Sequence, residues 1–345
     1  MGVGVLRRGF RCLATAVILA LVLCTASPLH AQTALKVTLD GRIEGPSAPL
    51  LVALERGYFK SENLDVRIEP SAGGLEPITR VTSGAFDIGV GDINALIRYR
   101  DQNPSVPLKV VFVVNNRPSY AVIGRKSRGV SMPEDLQGKR LGAPTAEPAT
   151  AAWPAFAKLN GLDATQVRVL NVGVPVREPM LAAGEVDAVT GASYGPPVAL
   201  RQRGVPEEDI STLLMAHYGL DMYGTSVFVN TKVLAEKPEA VGAFLRALVL
   251  GIKDTLQEPA AAVPAVLRRA NGANRELELE RLQIVIRDSI VTPEVRRNGL
   301  GGIEPARFDS AIEQIAAGYA FKSKPKLEDI FDPSFLPDAI LRRLE

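Results

Sequence analysis

Gly191-Ala192-Ser193-Tyr194-Gly195 has the spacing of a nucleophile elbow, the tight strand-to-helix turn that presents a serine for acyl transfer. Such a serine needs an imidazole as base and a carboxylate to orient it. His217 is the single histidine after residue 30, and Glu207, Glu208 and Asp209 are the carboxylates between Ser193 and it. No separate sheet lies in that interval to hold the acid. The motif therefore reads as a structural turn, and no catalytic residue is assigned. Metal chemistry is equally poorly supplied. Both cysteines, Cys12 and Cys24, fall within the first 24 residues, so a zinc site would rest mostly on carboxylates. Neither EF-hand nor P-loop spacing occurs. The reading is of a protein without metal or cofactor that binds a small molecule and does not transform it.

The first residues point to export. Arg7, Arg8 and Arg11 precede the apolar run Leu13–Leu23, broken only by Thr15, and Leu29-His30-Ala31 follows. A basic flank, a short apolar core and a small residue at the cut describe a secretory signal peptide over residues 1–31. The run is shorter than the roughly 20 apolar residues of a bilayer span. Arg7-Arg8-Gly9-Phe10 partly matches a twin-arginine signal, so both export routes stay open. The expected location is the periplasm. Losing those three arginines from 40 basic residues leaves them one short of the 38 acidic ones. That balance offers no general attraction to nucleic acid.

What must position any site is legible in an internal echo. Gly84-Ala85-Phe86-Asp87-Ile88-Gly89-Val90-Gly91 resembles Gly184-Glu185-Val186-Asp187-Ala188-Val189-Thr190-Gly191, with the aspartates one hundred positions apart. Glu76-Pro77-Ile78 and Glu178-Pro179-Met180 precede the two copies. Asn63-Leu64-Asp65 and Gly161-Leu162-Asp163 lie further upstream. Repetition of ordered landmarks indicates two units of one topology. Each reads as alternating strands and helices: strands at 35–39, 66–68 and 86–90, then at 139–143, 167–170 and 186–190. The predicted fold is α/β, two similar lobes, each a mostly parallel sheet flanked by helices. Two crossovers join them, near 110–120 and 213–229. The first lobe should comprise 34–117 and 222–345, the second 118–221. Val241, Phe244, Leu245, Leu248 and Ile252 share one helical face, as do Phe308, Ile312 and Ile315 with Tyr319. Both helices are expected on the first lobe, and Trp153 in a core.

In parallel sheets, ligands sit beyond the carboxyl ends of the strands. The loops there supply Arg42, Glu44, Ser71, Gly73, Asp92, Asn94, Thr145, Glu147, Thr150, Ser193 and Tyr194 as candidate ligand contacts. The crossovers add Asn116, Arg117, Tyr120, His217 and Tyr218. Each has a plainer role available: Asp92 and Thr145 suit helix caps, and Gly73-Gly74 suits a turn.

A set of motifs carries a family resemblance. Ala48-Pro49-Leu50, Ala53-Leu54-Glu55-Arg56-Gly57-Tyr58-Phe59-Lys60 and Asn63-Leu64-Asp65-Val66 come first. Ser83-Gly84-Ala85-Phe86-Asp87-Ile88-Gly89, Asp135-Leu136-Gln137-Gly138-Lys139-Arg140-Leu141-Gly142 and Ala183-Gly184-Glu185-Val186-Asp187-Ala188 follow. Over roughly residues 35–250 the chain resembles the substrate-binding proteins of ABC importers for sulfonates, taurine, nitrate and thiamine pyrimidine precursors. That resemblance implies the type II periplasmic-binding-protein fold and hinge closure around ligand. It also implies a monomer that meets an ABC permease and its ATPase. A related eukaryotic branch makes thiamine pyrimidine with a cysteine-rich motif and a histidine. The absence of cysteine after Cys24 argues against that chemistry. The mixed charge of Asp40-Gly41-Arg42-Ile43-Glu44 disfavours a simple anion such as nitrate. Tyr120, Tyr194, Tyr218 and Tyr223 favour an aromatic or heterocyclic ligand. Two rival readings are an enzyme on the same scaffold, by Ser193 or as a pyrimidine synthase, and a receptor feeding a membrane sensor.

Overall fold

The computed structural model describes residues 32–145 and 147–344; the leader expected over 1–31 lies outside the described residues. Its strands are β1 (Thr33–Thr38), β2 (Leu64–Glu69), β3 (Ile88–Asp92), β4 (Leu108–Val113), β5 (Tyr120–Arg125), β6 (Arg140–Gly142), β7 (Arg168–Leu170), β8 (Ala188–Ala192), β9 (Ile210–Leu214) and β10 (Thr225–Asn230). They form two five-stranded sheets, ordered β2-β1-β3-β10-β4 and β7-β6-β8-β5-β9. β1 is parallel to β2 and β3, and β6 to β7 and β8. One strand in each sheet runs the other way: β10 between β3 and β4, and β5 between β8 and β9. The expected α/β fold with two similar, mostly parallel sheets is what forms. The reversed strand is in each case the first one laid down after the chain crosses from the other sheet.

The echo in the sequence has a structural cause. Asp87 accepts the Lys36 N–H at 2.8 Å through Oδ2, and Asp187 accepts the Arg140 N–H at 2.9 Å in the same way. Each aspartate thus fixes its strand against the neighbouring parallel one before the first ladder bond. Gly84 and Gly184 end the preceding helices in the left-handed region, at φ 77° and 79°. Gly89 is demanded by packing: a Cβ there would lie 2.2 Å from the Phe228 ring on β10. The Glu-Pro landmarks are not equivalent. Pro77 opens the helix Glu76–Thr82, whereas Pro179 lies inside Val174–Ala183. Proline also sits in the first turn of Pro148–Leu159, Pro196–Gln202, Pro238–Gln257 and Pro305–Ile315, where its missing N–H has no partner to lose.

The helix Pro238–Gln257 packs on Ala48–Glu55, as its apolar face predicts. Gly251 allows the approach, since a Cβ there would meet the Pro49 carbonyl oxygen at 2.3 Å. Phe244 stacks on Phe59 with ring centroids 5.0 Å apart. The helix Pro305–Ile315 differs from expectation. Its Phe308, Ile312 and Ile315 join a cluster containing Trp153 and Phe156 of the second sheet's helix Pro148–Leu159, together with Ile93 and Leu96 from beside the first sheet. It therefore bridges the two halves. Trp153 is core, as expected.

That bridge delivers Arg307 to both crossovers. All five guanidinium N–H donors are used. Nη2 donates to the carbonyl oxygens of Asn116 (2.9 Å) and Met222 (2.7 Å). Nη1 donates to Asn116 Oδ1 (2.9 Å) and Glu294 Oε2 (2.8 Å), and Nε donates to Asp221 Oδ1 (2.7 Å). The guanidinium carbon lies 4.1 Å from the Tyr223 ring centroid. Glu294 also accepts from Asn116 Nδ2 and the Tyr223 hydroxyl. Arg307 and Glu294 side chains are only 8% and 11% exposed, so either left alone would be a nearly buried charge. Arg307→Met should cost about 3–5 kcal/mol in urea-induced unfolding, the usual loss when one partner of a buried ion pair is removed. Adding Glu294→Gln should recover part of it, because the stranded charge is then gone.

Candidate functional site

All five strand-end loops expected to face a ligand converge on one cleft of about 820 Å³. Asp40, Gly41, Arg42 and Glu44 follow β1, Ser71–Gly74 follow β2, and Asp92 ends β3. From the second sheet come Glu147, Pro148 and Ala149 after β6, and Gly191, Ala192, Tyr194 and Gly195 at the end of β8. Tyr120 and Asn115 line the base beside the crossovers.

Of the sixteen candidates, Arg42, Glu44, Ser71, Gly73, Asp92, Tyr120, Glu147 and Tyr194 line this cleft. Ser71 organises its loop, its Oγ accepting the N–H groups of Gly41 (3.2 Å) and Gly73 (3.0 Å). Asp92 is the N-cap of Ile93–Gln102, accepting the Ala95 N–H at 2.7 Å. The Tyr120 hydroxyl, from the other sheet, also donates to Asp92. The Asp92 carboxyl is held above its ordinary range by burial, and the Tyr120 hydroxyl well above its own by burial and that carboxylate.

The other eight lie elsewhere. Asn94 is buried behind the cleft and donates to the Tyr120 oxygen and the Tyr223 carbonyl. Asn116 belongs to the Arg307 clasp. The Arg117 N–H donates to the Ser289 carbonyl. Thr145 bonds Asn171, and Thr150 bonds the buried Thr190. Thr145 is not a helix cap; Glu147 holds that position. Tyr218 packs edge-on against Phe156. His217 is exposed in the turn after β9. Ser193 is 2% exposed, and its hydroxyl meets Asp288 Oδ2 at 3.5 Å instead of an imidazole. The glycines around it serve packing. A Cβ on Gly191 would lie 2.8 Å from Pro196 and 2.9 Å from the Arg177 guanidinium, and Gly195 precedes Pro196–Gln202.

Two features escaped the sequence reading. Arg177 is 5% exposed and donates to Glu147 (2.9 Å), Glu178 (2.7 Å) and the Thr190 carbonyl (3.1 Å), so it fixes the Glu147 carboxylate at the cleft wall. It sits mid-helix in an apolar-looking segment, and only the three-dimensional partner set reveals it. The second is Asp40. Water in the cleft reaches this side chain, yet protein surrounds it on its other sides. Gly73 and Gly91 flank it; Cβ atoms added there would lie in ordinary contact with its carboxyl oxygens, at 3.5 and 3.7 Å. The N–H groups of Asp92 and Gly74 point to it, and among the described residues no cation bonds it. Among the arginines lining the cleft, Arg281 bonds Glu278, Arg42 is 87% exposed and reaches Glu44 at 3.4 Å, and the exposed Arg203 reaches the Ala199 carbonyl at 3.4 Å. Loss of bulk solvent, then the charges of Asp92 and Glu147, push the Asp40 carboxyl up to about 7. A position just past the first strand of a parallel sheet was the available signal.

The cleft thus offers acceptors. Asp40 and Glu147 face it from the two sheets, and Tyr194 adds an aromatic wall that also packs on the first sheet's apolar cluster. No group of three or more metal-ligating side chains occurs among the described residues.

Comparison with known proteins places this geometry in context. The family profile described as NMT1/THI5 like matches residues 45–262. A formylaminopyrimidine-binding protein of Halalkalibacterium halodurans is 28% identical over 315 residues, covering 89% of this chain and 92% of its own. A 4-amino-5-hydroxymethyl-2-methylpyrimidine phosphate synthase of Schizosaccharomyces pombe is 22% identical, covering 68% and 69%. Among solved structures, the periplasmic aliphatic sulphonate binding protein SsuA of Escherichia coli superposes with a TM-score of 0.71 at 12% identity, covering 90% of this chain and 95% of its own. At that identity the likeness concerns the fold alone.

The Asp40 carboxyl sets a pH dependence. In the folded protein it keeps its proton up to about pH 7, whereas in the unfolded chain it loses it near the ordinary aspartate value of 3.8. Between those limits the folded state binds more protons, so stability falls as pH rises. Thermal melts of the empty protein should therefore show a higher Tm at pH 5 than at pH 8 from this group. Asp40→Asn should flatten that slope and raise Tm at pH 8.

Proposed function

Because the chain belongs to the NMT1/THI5-like family, we propose that it is an extracytoplasmic receptor that captures a small nitrogen heterocycle and passes it to an ABC importer. The supporting observation is Asp40, a carboxyl on the cleft wall without a cationic partner and with Glu147 opposite. A sulfonate or nitrate beside Asp40 and Glu147 would face two acidic groups, and burying like charges together is costly. A ring bearing amino or N–H donors would instead satisfy Asp40 and Glu147 directly, with Tyr194 against its face. The formylaminopyrimidine-binding relative is named for a ligand of that chemical kind.

In this reading, residues 34–117 with 222–345 and residues 118–221 act as two lobes that close on the ligand about the crossovers. The receptor works as a monomer in the periplasm after its leader is removed. It delivers ligand to a permease driven by an ATPase. Catalysis has less support, since no cysteine or histidine is among the described residues that line the cleft.

A thermal-shift panel of aminopyrimidines, flavins, alkanesulfonates and nitrate tests the ligand class. A ligand at one hundred times its Kd stabilises by about 2.7 kcal/mol. The expected result is a rise in Tm with an amine-bearing heterocycle, greatly reduced in Asp40→Asn. Stabilisation by a sulfonate or nitrate alone, unaffected by Asp40→Asn, would overturn the proposal.

A further inference from the structure

Opposite faces of one cleft flank carry two contacts in antiparallel register. At the base, Ser193, just after β8, meets Asp288 at 3.5 Å. Further out, Arg201 on the helix Pro196–Gln202 bonds Glu280 on the helix Arg275–Val285. The second helix packs beside Gly45–Ser47 and Pro259–Leu267, on the side of the first sheet. From Ser193 to Arg201 is eight residues forward, and from Asp288 to Glu280 is eight residues back. The two segments therefore run past each other along the flank, one from each half. The Ser193 contact is pinned near the crossovers, where Arg117 and Ser119 bond Ser289. The Arg201 pair lies two helical turns away from that pivot, where any opening separates the halves more.

Arg201 has a second carboxylate within reach. Glu207, in the same half and 80% exposed, lies 3.9 Å from its Nη1. The cation thus stands between one acid across the cleft and another that travels with it. We propose that Arg201 is a two-position latch. It closes the cleft flank by pairing with Glu280, and it is held by Glu207 when the halves part. Handing the charge from one carboxylate to the other means that opening never leaves a bare guanidinium on a 24% exposed side chain. Arg201 is not itself among the residues lining the cleft, so it sets how readily the cleft shuts without contacting what is inside. It is a positioning residue for closure.

The test needs no ligand. Spin labels at Leu75→Cys and Val176→Cys, two exposed positions on opposite lips of the cleft, report its width by pulsed electron paramagnetic resonance. The labels go into the full chain with Cys12→Ser and Cys24→Ser, since no other cysteine is present. Wild type should show a short-distance population. Arg201→Ala and Glu280→Gln should each lower it about two- to fivefold, the range of a partly exposed ion pair. Arg201→Glu combined with Glu280→Arg should restore it. Glu207→Ala should raise it, because the open-state partner is gone. Circular-dichroism melts confirm that each variant is folded, and Glu280→Gln keeps the test valid if Arg201→Ala is not. An unchanged distribution in Glu280→Gln, or no recovery in the charge-reversed pair, would overturn the latch. No response to Glu207→Ala would overturn the handover.

Discussion

One guanidinium ties the molecule together. Arg307 spends every donor it has on the two segments that pass between the sheets and on the acids beside them. Main-chain carbonyls of irregular crossovers have no ladder to satisfy them, and leaving them buried and unpaired would be costly. Arginine suits the task because its planar fork addresses several acceptors at fixed angles and never loses its charge. The helix that carries it must straddle both halves, and Phe308, Ile312 and Ile315 do so with apolar contacts to each. The crossovers are therefore held at one point by a C-terminal segment that belongs wholly to neither sheet.

From that fixed point the cleft follows by topology. Two sheets of one design place their strand ends toward each other, and the first loop of each brings a carboxylate, Asp40 or Glu147. Local arrangements then set how each behaves. Arg177 holds Glu147 in an ion pair, while Asp40, flanked by Gly73 and Gly91, is bonded by no cation among the described residues. The result is a site with one anchored acid and one unneutralised acid. The proposed capture of a donor-bearing ring rests on that asymmetry.

The repeated Gly-x-x-Asp pattern made the duplicated architecture legible, because the aspartates at 87 and 187 do the same backbone work and the glycines at 84 and 184 the same capping. The loops that converge on the cleft were legible too, since strand ends can be read from apolar runs. Which side chains within a loop face inward was not. Asn116 and Asn94 look like ligand donors in the sequence but donate instead to the Glu294 carboxylate and the Tyr223 carbonyl. In sequence, Asp40 is only part of the charged loop after the first strand, and Arg177 is not singled out. Their roles depend on partners far along the chain. The serine motif shows the converse: Gly191 clears space for Arg177, a reason that no local pattern contains.

The reversed strand in each sheet has a consequence for how the chain assembles. β5 through β9 are contiguous, so residues 120–214 contain every strand of the second sheet. The first sheet cannot be completed from one stretch. β4 touches it only through β10, and more than one hundred residues of other structure separate them. Until Thr225–Asn230 arrives, β3 and β4 present open edges with nothing between them, and closing so long a loop carries an entropic cost that local pairing does not. The half that comes first along the chain is thus the half that must wait. It is completed by a strand that appears only after its counterpart is whole, and the crossovers proposed as a hinge are first of all the path by which that strand returns.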